Sequence, residues 1–171
     1  MIYGVALNPP YHEAYNTSHK LPGVPCETVP RIEFLHRLSS RIYGTHARGV
    51  IISSNTWDTR RSQLLDEEQF DQDSWVTNAS AVLRAVKRLT KSPIVLLSAQ
   101  LERKLPVPCA EVNAAMKWLA ADSNTPIVDA ENCTKSIPQM ERLVDDTHPS
   151  ASSSEYLAGC ILGALEMLGT T

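Results

Sequence analysis

Four short apolar runs, each ended by proline or polar residues and separated by stretches of helical period, constrain this chain more than any other feature. They are Ile2 to Leu7, Gly49 to Asn55, Pro93 to Ser98 and Thr125 to Ala130. Each is the length of a buried strand rather than of a helix. Between and after them the period changes to three and four. Pro30 opens a segment with Ile32, Leu35, Leu38 and Ile42 on one face, and Val76, Ala79, Val82, Leu83, Val86 and Leu89 mark a helix within Ser74 to Lys91. Val112, Ala115, Met116 and Leu119 mark another over Cys109 to Asp122, and a last helix spans Ser152 to Leu168. Strands that alternate with helices are joined by crossovers, which parallel neighbours require. The expected fold class is therefore α/β, a three-layer α/β/α arrangement with a mostly parallel sheet covered on both faces.

Length and composition fit that expectation. With 171 residues, 43% of them hydrophobic, the chain is predicted to form one domain over 1–171, and no internal repeat or linker interrupts it. Cys26, Cys109, Cys133 and Cys160 are far apart, with no C-x-x-C pair and no histidine at zinc-finger spacing, and are read as free thiols. A formal charge of -3 leaves no basic excess, and Arg84, Lys87, Arg88 and Lys91 fall at helical spacing, as a solvated helix face does. No nucleic-acid partner is expected. The first residues lack a basic leader and a signal-peptide core, and no run approaches the roughly 20 apolar residues of a membrane span. With no disulfide framework in view, an intracellular location is favoured. The sequons at Asn16, Asn78 and Asn132 carry little weight, since Asn78 falls within a predicted helix.

No glycine-rich loop follows any strand, so nucleotide binding is disfavoured. His12, His19, His36, His46 and His148 form no recognisable ligand set, so neither metal nor cofactor is expected. In open parallel sheets ligands bind outside the C-terminal strand ends. Asn8, Ser53 to Asn55, Ser98 to Gln100 and the Asp145 to His148 segment all fall there. Asp145 and His148 stand in a D-x-x-H-P arrangement just before the last helix. A carboxylate that accepts a hydrogen bond from one imidazole nitrogen fixes the tautomer, which leaves the other nitrogen free to take a proton from a hydroxyl. The alternative is that Asp146 or Thr147 caps a turn and His148 is a surface residue.

D-x-x-H-P followed by a final helix and preceded by repeated strand-helix units resembles the last block of the SGNH/GDSL hydrolase superfamily. The strand end I-I-S-S-N-T-W-D-T-R-R is similar in position to the block that holds that family's oxyanion asparagine, and its S-x-x-W-D-x-x-R form resembles the PC-esterase branch. The resemblance covers roughly Gly49 to Leu168. It implies an SGNH-like sheet with Asp145 and His148 as acid and base and Asn55 as oxyanion donor, Ser53 standing where the family has glycine.

The chain departs from the family at the nucleophile. The family's serine sits in a Gly-Asp-Ser turn after the first strand; here Asn8-Pro9-Pro10 stands there, and no Gly-Asp-Ser occurs anywhere. Proline supplies neither the hydroxyl nor the N-H. Ser53, Ser54 and Cys26 are the remaining nucleophile candidates, while Trp57, Asp58 and Arg60 could shape a ligand pocket, with Arg60 suited to a carboxylate or phosphate. The lead expectation is thus a degenerate, non-catalytic domain that serves as a binding or structural subunit with a protein partner. Trp57, Leu64, Leu65 and Phe70, in the charged Thr56 to Asp73 stretch, fit such docking. The alternative is an active ester hydrolase or deacetylase on an acylated sugar or lipid, using an unorthodox nucleophile. A third is a flavodoxin-like domain in which D-T-H-P is coincidental.

Overall fold

The computed structural model describes residues 2–3, 37, 49–53, 72–99, 106–145 and 148–169. Among the described residues four strands, β1 (Ile2–Tyr3), β2 (Val50–Ser53), β3 (Ile94–Leu97) and β4 (Ile127–Val128), form one sheet in the order β1-β2-β3-β4. Every pairing is parallel, with Ile52 beside Leu96 and Leu96 beside Ile127. The helices are α1 (Gln72–Leu89), α2 (Pro106–Asp122), the single turn α3 (Ala130–Cys133) and α4 (Ala151–Gly169), with a 3-10 turn at Gln139–Glu141. The α/β class expected from the sequence is the one observed. The helix expected from Pro30 lies outside the described residues except for Arg37, which is helical and exposed.

Strand alternation divides the core into two faces. Val50, Ile52, Ile94 and Leu96 pack with Ala79, Val82, Leu83 and Val86 of α1 and Val112, Ala115, Met116 and Leu119 of α2. Because the strands follow one another in order, right-handed crossovers put α1 and α2 together on this face. Trp75, fully buried, belongs to the same cluster. Arg84, Lys87 and Arg88 are exposed on the solvated outer side of α1, and Lys91, just beyond its end, is exposed as well. Lys87 donates to the Ser123 carbonyl at 3.0 Å, and with Arg88 in the last turn it complements the helix dipole. Helix α2 begins earlier than the apolar period indicated, because Pro106 and Pro108 fit a first turn whose N-H groups have no partner within the helix.

Ile51 and Val95 face the other way and are buried as well, and α4 lies along β3 and β4. Its direction follows from its far end. Leu165 meets Gly49, where no larger side chain fits without displacing it, and Leu168 lines a cleft with Pro93, Ile94 and Pro126. All four of those partners precede or begin strands. The start of α4 therefore lies at the opposite edge, where the strands end.

One expectation is corrected here. Cys133 and Cys160 are not free thiols; they form a disulfide with Cα atoms 6.4 Å apart, joining α3 to α4. The two are 27 residues apart, so local spacing could not reveal a pairing that arises only when α4 folds back beside α3. Cys109 is a buried thiol in α2, and Cys26 lies outside the described residues.

Candidate active site

At the strand-end edge the chain leaves α3, makes the 3-10 turn and enters a tight reversal before α4. Leu143 and Pro149 form an antiparallel bridge, and the Val144 N-H donates to the His148 carbonyl at 2.8 Å. Leu143 is buried and pins the base of the reversal to the domain. Ser150 then caps α4, its hydroxyl accepting from the Ser153 N-H at 3.2 Å.

Asp145 and His148 stand one on each leg of the reversal. One carboxylate oxygen of Asp145 accepts the His148 backbone N-H at 2.7 Å, and the other pairs with the imidazole Nδ1, also at 2.7 Å. The carboxylate thus closes the turn and orients the ring in the same act. In a neutral ring with its proton on Nδ1, that nitrogen donates to the carboxylate and Nε2 keeps its lone pair. The side chains are 55% and 75% exposed. Such a pair can accept a proton from a hydroxyl at Nε2 and return it to a leaving alcohol.

The strand ends near this edge are built largely for stability. Ser98 is buried, and its hydroxyl accepts the Ala130 N-H at 2.9 Å, so it serves the start of α3 rather than a ligand. Asn113, a buried polar residue on the apolar side of α2, holds the backbone of Ala99 from both sides, donating to its carbonyl at 2.8 Å and accepting its N-H at 2.9 Å. Its place between Val112 and Ala115 was the available sequence signal, and periodicity passed over it. Asp129 caps α3 through the N-H groups of Glu131 and Asn132 and pairs with Lys117 at 2.6 Å. Burial pushes its carboxyl up, but the Lys117 bond and charge and the two backbone N-H groups outweigh that and hold it below the ordinary 3.8.

Ser53 ends β2 and is half-buried. Ser54, Asn55, Trp57, Asp58 and Arg60 lie outside the described residues, as do Asn8, Pro9 and Pro10. Of the residues selected from the sequence, the structure brings Asp145 and His148 together. Among the described residues no group of three or more histidines, cysteines and acids could hold a metal, and no helix is long and apolar enough to cross a membrane. A cleft of about 350 Å³, lined by Lys87, Lys91, Asn124 and Leu168, lies at the other edge of the sheet and shares no residue with the pair.

No protein-family model matches the chain, and no curated protein matches it in sequence. Solved structures do match. The acetylxylan esterase Axe2 of Geobacillus stearothermophilus superposes with a TM-score of 0.57 at 18% identity, over 81% of this chain and 68% of the esterase. A GDSL-like lipase of Bacteroides thetaiotaomicron gives 0.57 at 17%, over 80% and 71%. The α/β hydrolase LAE5 from the Lake Arreo metagenome gives 0.59 at 14%, over 82% and 68%. Catalytic mutants of Axe2 with a serine, an aspartate or a histidine changed to alanine also match, and in that enzyme the aspartate precedes the histidine by three positions. At these identities the likeness is one of fold: the chain shares the α/β fold of these esterases and lipases.

Proposed function

We propose that this chain is an ester hydrolase or deacetylase of SGNH type, acting on an acylated sugar or lipid, with Asp145 and His148 as its acid and base. The observation that carries the reading is the 2.7 Å Nδ1 to carboxylate bond at a strand-end edge. An exposed ion pair adds at most about 1 kcal/mol to stability. The backbone bond from Asp145 would close the turn without any imidazole, so folding alone gives little reason for a ring held in this orientation. The same residue types at the same spacing are catalytic in the acetylxylan esterase of similar fold, which supports the assignment.

In this reading Nε2 of His148 takes the proton of a hydroxyl as it attacks the acyl carbon, and Asp145 stabilises the imidazolium that forms. The proton then passes to the departing sugar or lipid alcohol. Asn55 is proposed as oxyanion donor, Ser53 and Ser54 as the hydroxyls available at the end of β2, and Trp57, Asp58 and Arg60 as the walls of the ligand pocket.

A second reading rests on a specific observation, Asn8-Pro9-Pro10 at the place of the serine turn. There the domain keeps the sheet and the dyad but binds rather than cleaves, as a subunit that docks to a protein partner through the apolar groups between Thr56 and Asp73. Fluorophosphonate labelling followed by intact mass separates the two. A stoichiometric adduct that disappears in His148→Ala is expected for the hydrolase. No adduct and no turnover of acetyl esters leaves the binding domain.

A further inference from the structure

We infer that Arg142 is the positioning residue of the acid-base turn, an assignment that rests on reading Asp145 and His148 as acid and base. Its side chain is 18% exposed, and its guanidinium is engaged on three sides by the segment that precedes the turn. Nη1 meets the Glu131 carboxylate at 2.8 Å, Nε donates to the Ile137 carbonyl at 2.9 Å, and Nη2 donates to the Lys135 carbonyl at 3.2 Å. Its own carbonyl grips the segment that follows. That oxygen accepts the Ser150 N-H at 2.9 Å and the Ser153 hydroxyl at 2.8 Å, both at the beginning of α4.

One residue thereby joins both legs of the reversal that carries the dyad. The dyad side chains are more than half exposed, so packing does not orient them. Their direction is set by the backbone of the turn, and the base of that turn is fixed through Arg142. The planar guanidinium satisfies a carboxylate and two carbonyls at once, which a lysine ammonium on a flexible stem does not reproduce.

The experiment reads the His148 ring rather than turnover. In ¹⁵N-labelled wild-type protein, imidazole correlations show one dominant Nδ1-H tautomer with its proton hydrogen-bonded. In Arg142→Met that resonance is lost and the ring shows the mixed tautomers of a free imidazole, while circular dichroism stays native. Arg142→Lys recovers the resonance in part. A native spectrum with the wild-type tautomer in Arg142→Met overturns the inference. Should Arg142→Met fail to fold, Glu131→Gln decides: it removes the ion pair and keeps both carbonyl bonds, so a weakened resonance supports the assignment and an unchanged one overturns it. Absence of ester hydrolysis in the wild-type protein would sink the functional reading alone, because the tautomer signal does not depend on turnover.

Discussion

Lys117, more than half exposed on α2, reaches across to Asp129 at the end of β4 and holds its carboxylate at 2.6 Å. Asp129 also caps α3, so the pair ties the second crossover helix to the first turn after the sheet. Its folded carboxyl lies below the ordinary 3.8. The linked stability is therefore complete above that value and is lost as the pH falls below about 4, through the depressed folded value. Thermal melts from pH 7 down to pH 2.5 are expected to show less acid loss in Asp129→Asn than in the wild-type chain. Identical acid profiles would remove Asp129 from the linkage.

The Cys133 to Cys160 bridge closes a loop that contains the whole acid-base turn. Constraining 27 residues in the unfolded chain contributes about 3.5 kcal/mol by loop entropy. Guanidinium unfolding of oxidised protein, compared with reduced protein or Cys133→Ser/Cys160→Ser, should show a loss of about that size. Equal midpoints would mean that the bridge does not constrain the unfolded chain.

Ser98 lay among the polar residues expected to face a ligand, and its hydroxyl instead satisfies a buried N-H of α3. Ser98→Ala leaves the Ala130 N-H without that acceptor, which costs about 1–3 kcal/mol. Urea titration measures it. A loss well under 1 kcal/mol would show that water reaches the site.

The strands and long helices were legible because their signal is local and repeated. Val82, Leu83 and Val86 announce α1, and Val112, Ala115, Met116 and Leu119 announce α2, each buried as its period requires. Trp75 fits the same face four residues before Ala79 and is fully buried with it. The single turn at Ala130–Cys133 is too short to carry a period, and the disulfide depends on α4 folding back across 27 residues. Asp145 and His148 were readable because they stand only three residues apart in the sequence. Arg142 was not, since its contacts with Glu131, Ile137, Ser150 and Ser153 join segments that meet only in the folded chain.

The most discriminating substitution in the dyad is Asp145→Asn. An asparagine carbonyl still accepts the His148 backbone N-H, so the turn closes and the melting temperature should stay within a degree or two of wild type. The other half of the side chain becomes an amide that donates toward Nδ1. His148 can accept that bond only with its proton moved to Nε2, which removes the lone pair that the proposed base requires. Where an equivalent change has been made in a serine-histidine-aspartate triad, turnover falls about 10⁴-fold. A loss of roughly 10³- to 10⁴-fold in the fluorophosphonate labelling rate is expected here, against complete loss in His148→Ala. Labelling at the wild-type rate in Asp145→Asn would show that the carboxylate only shapes the turn, and the acid-base assignment would fall with it.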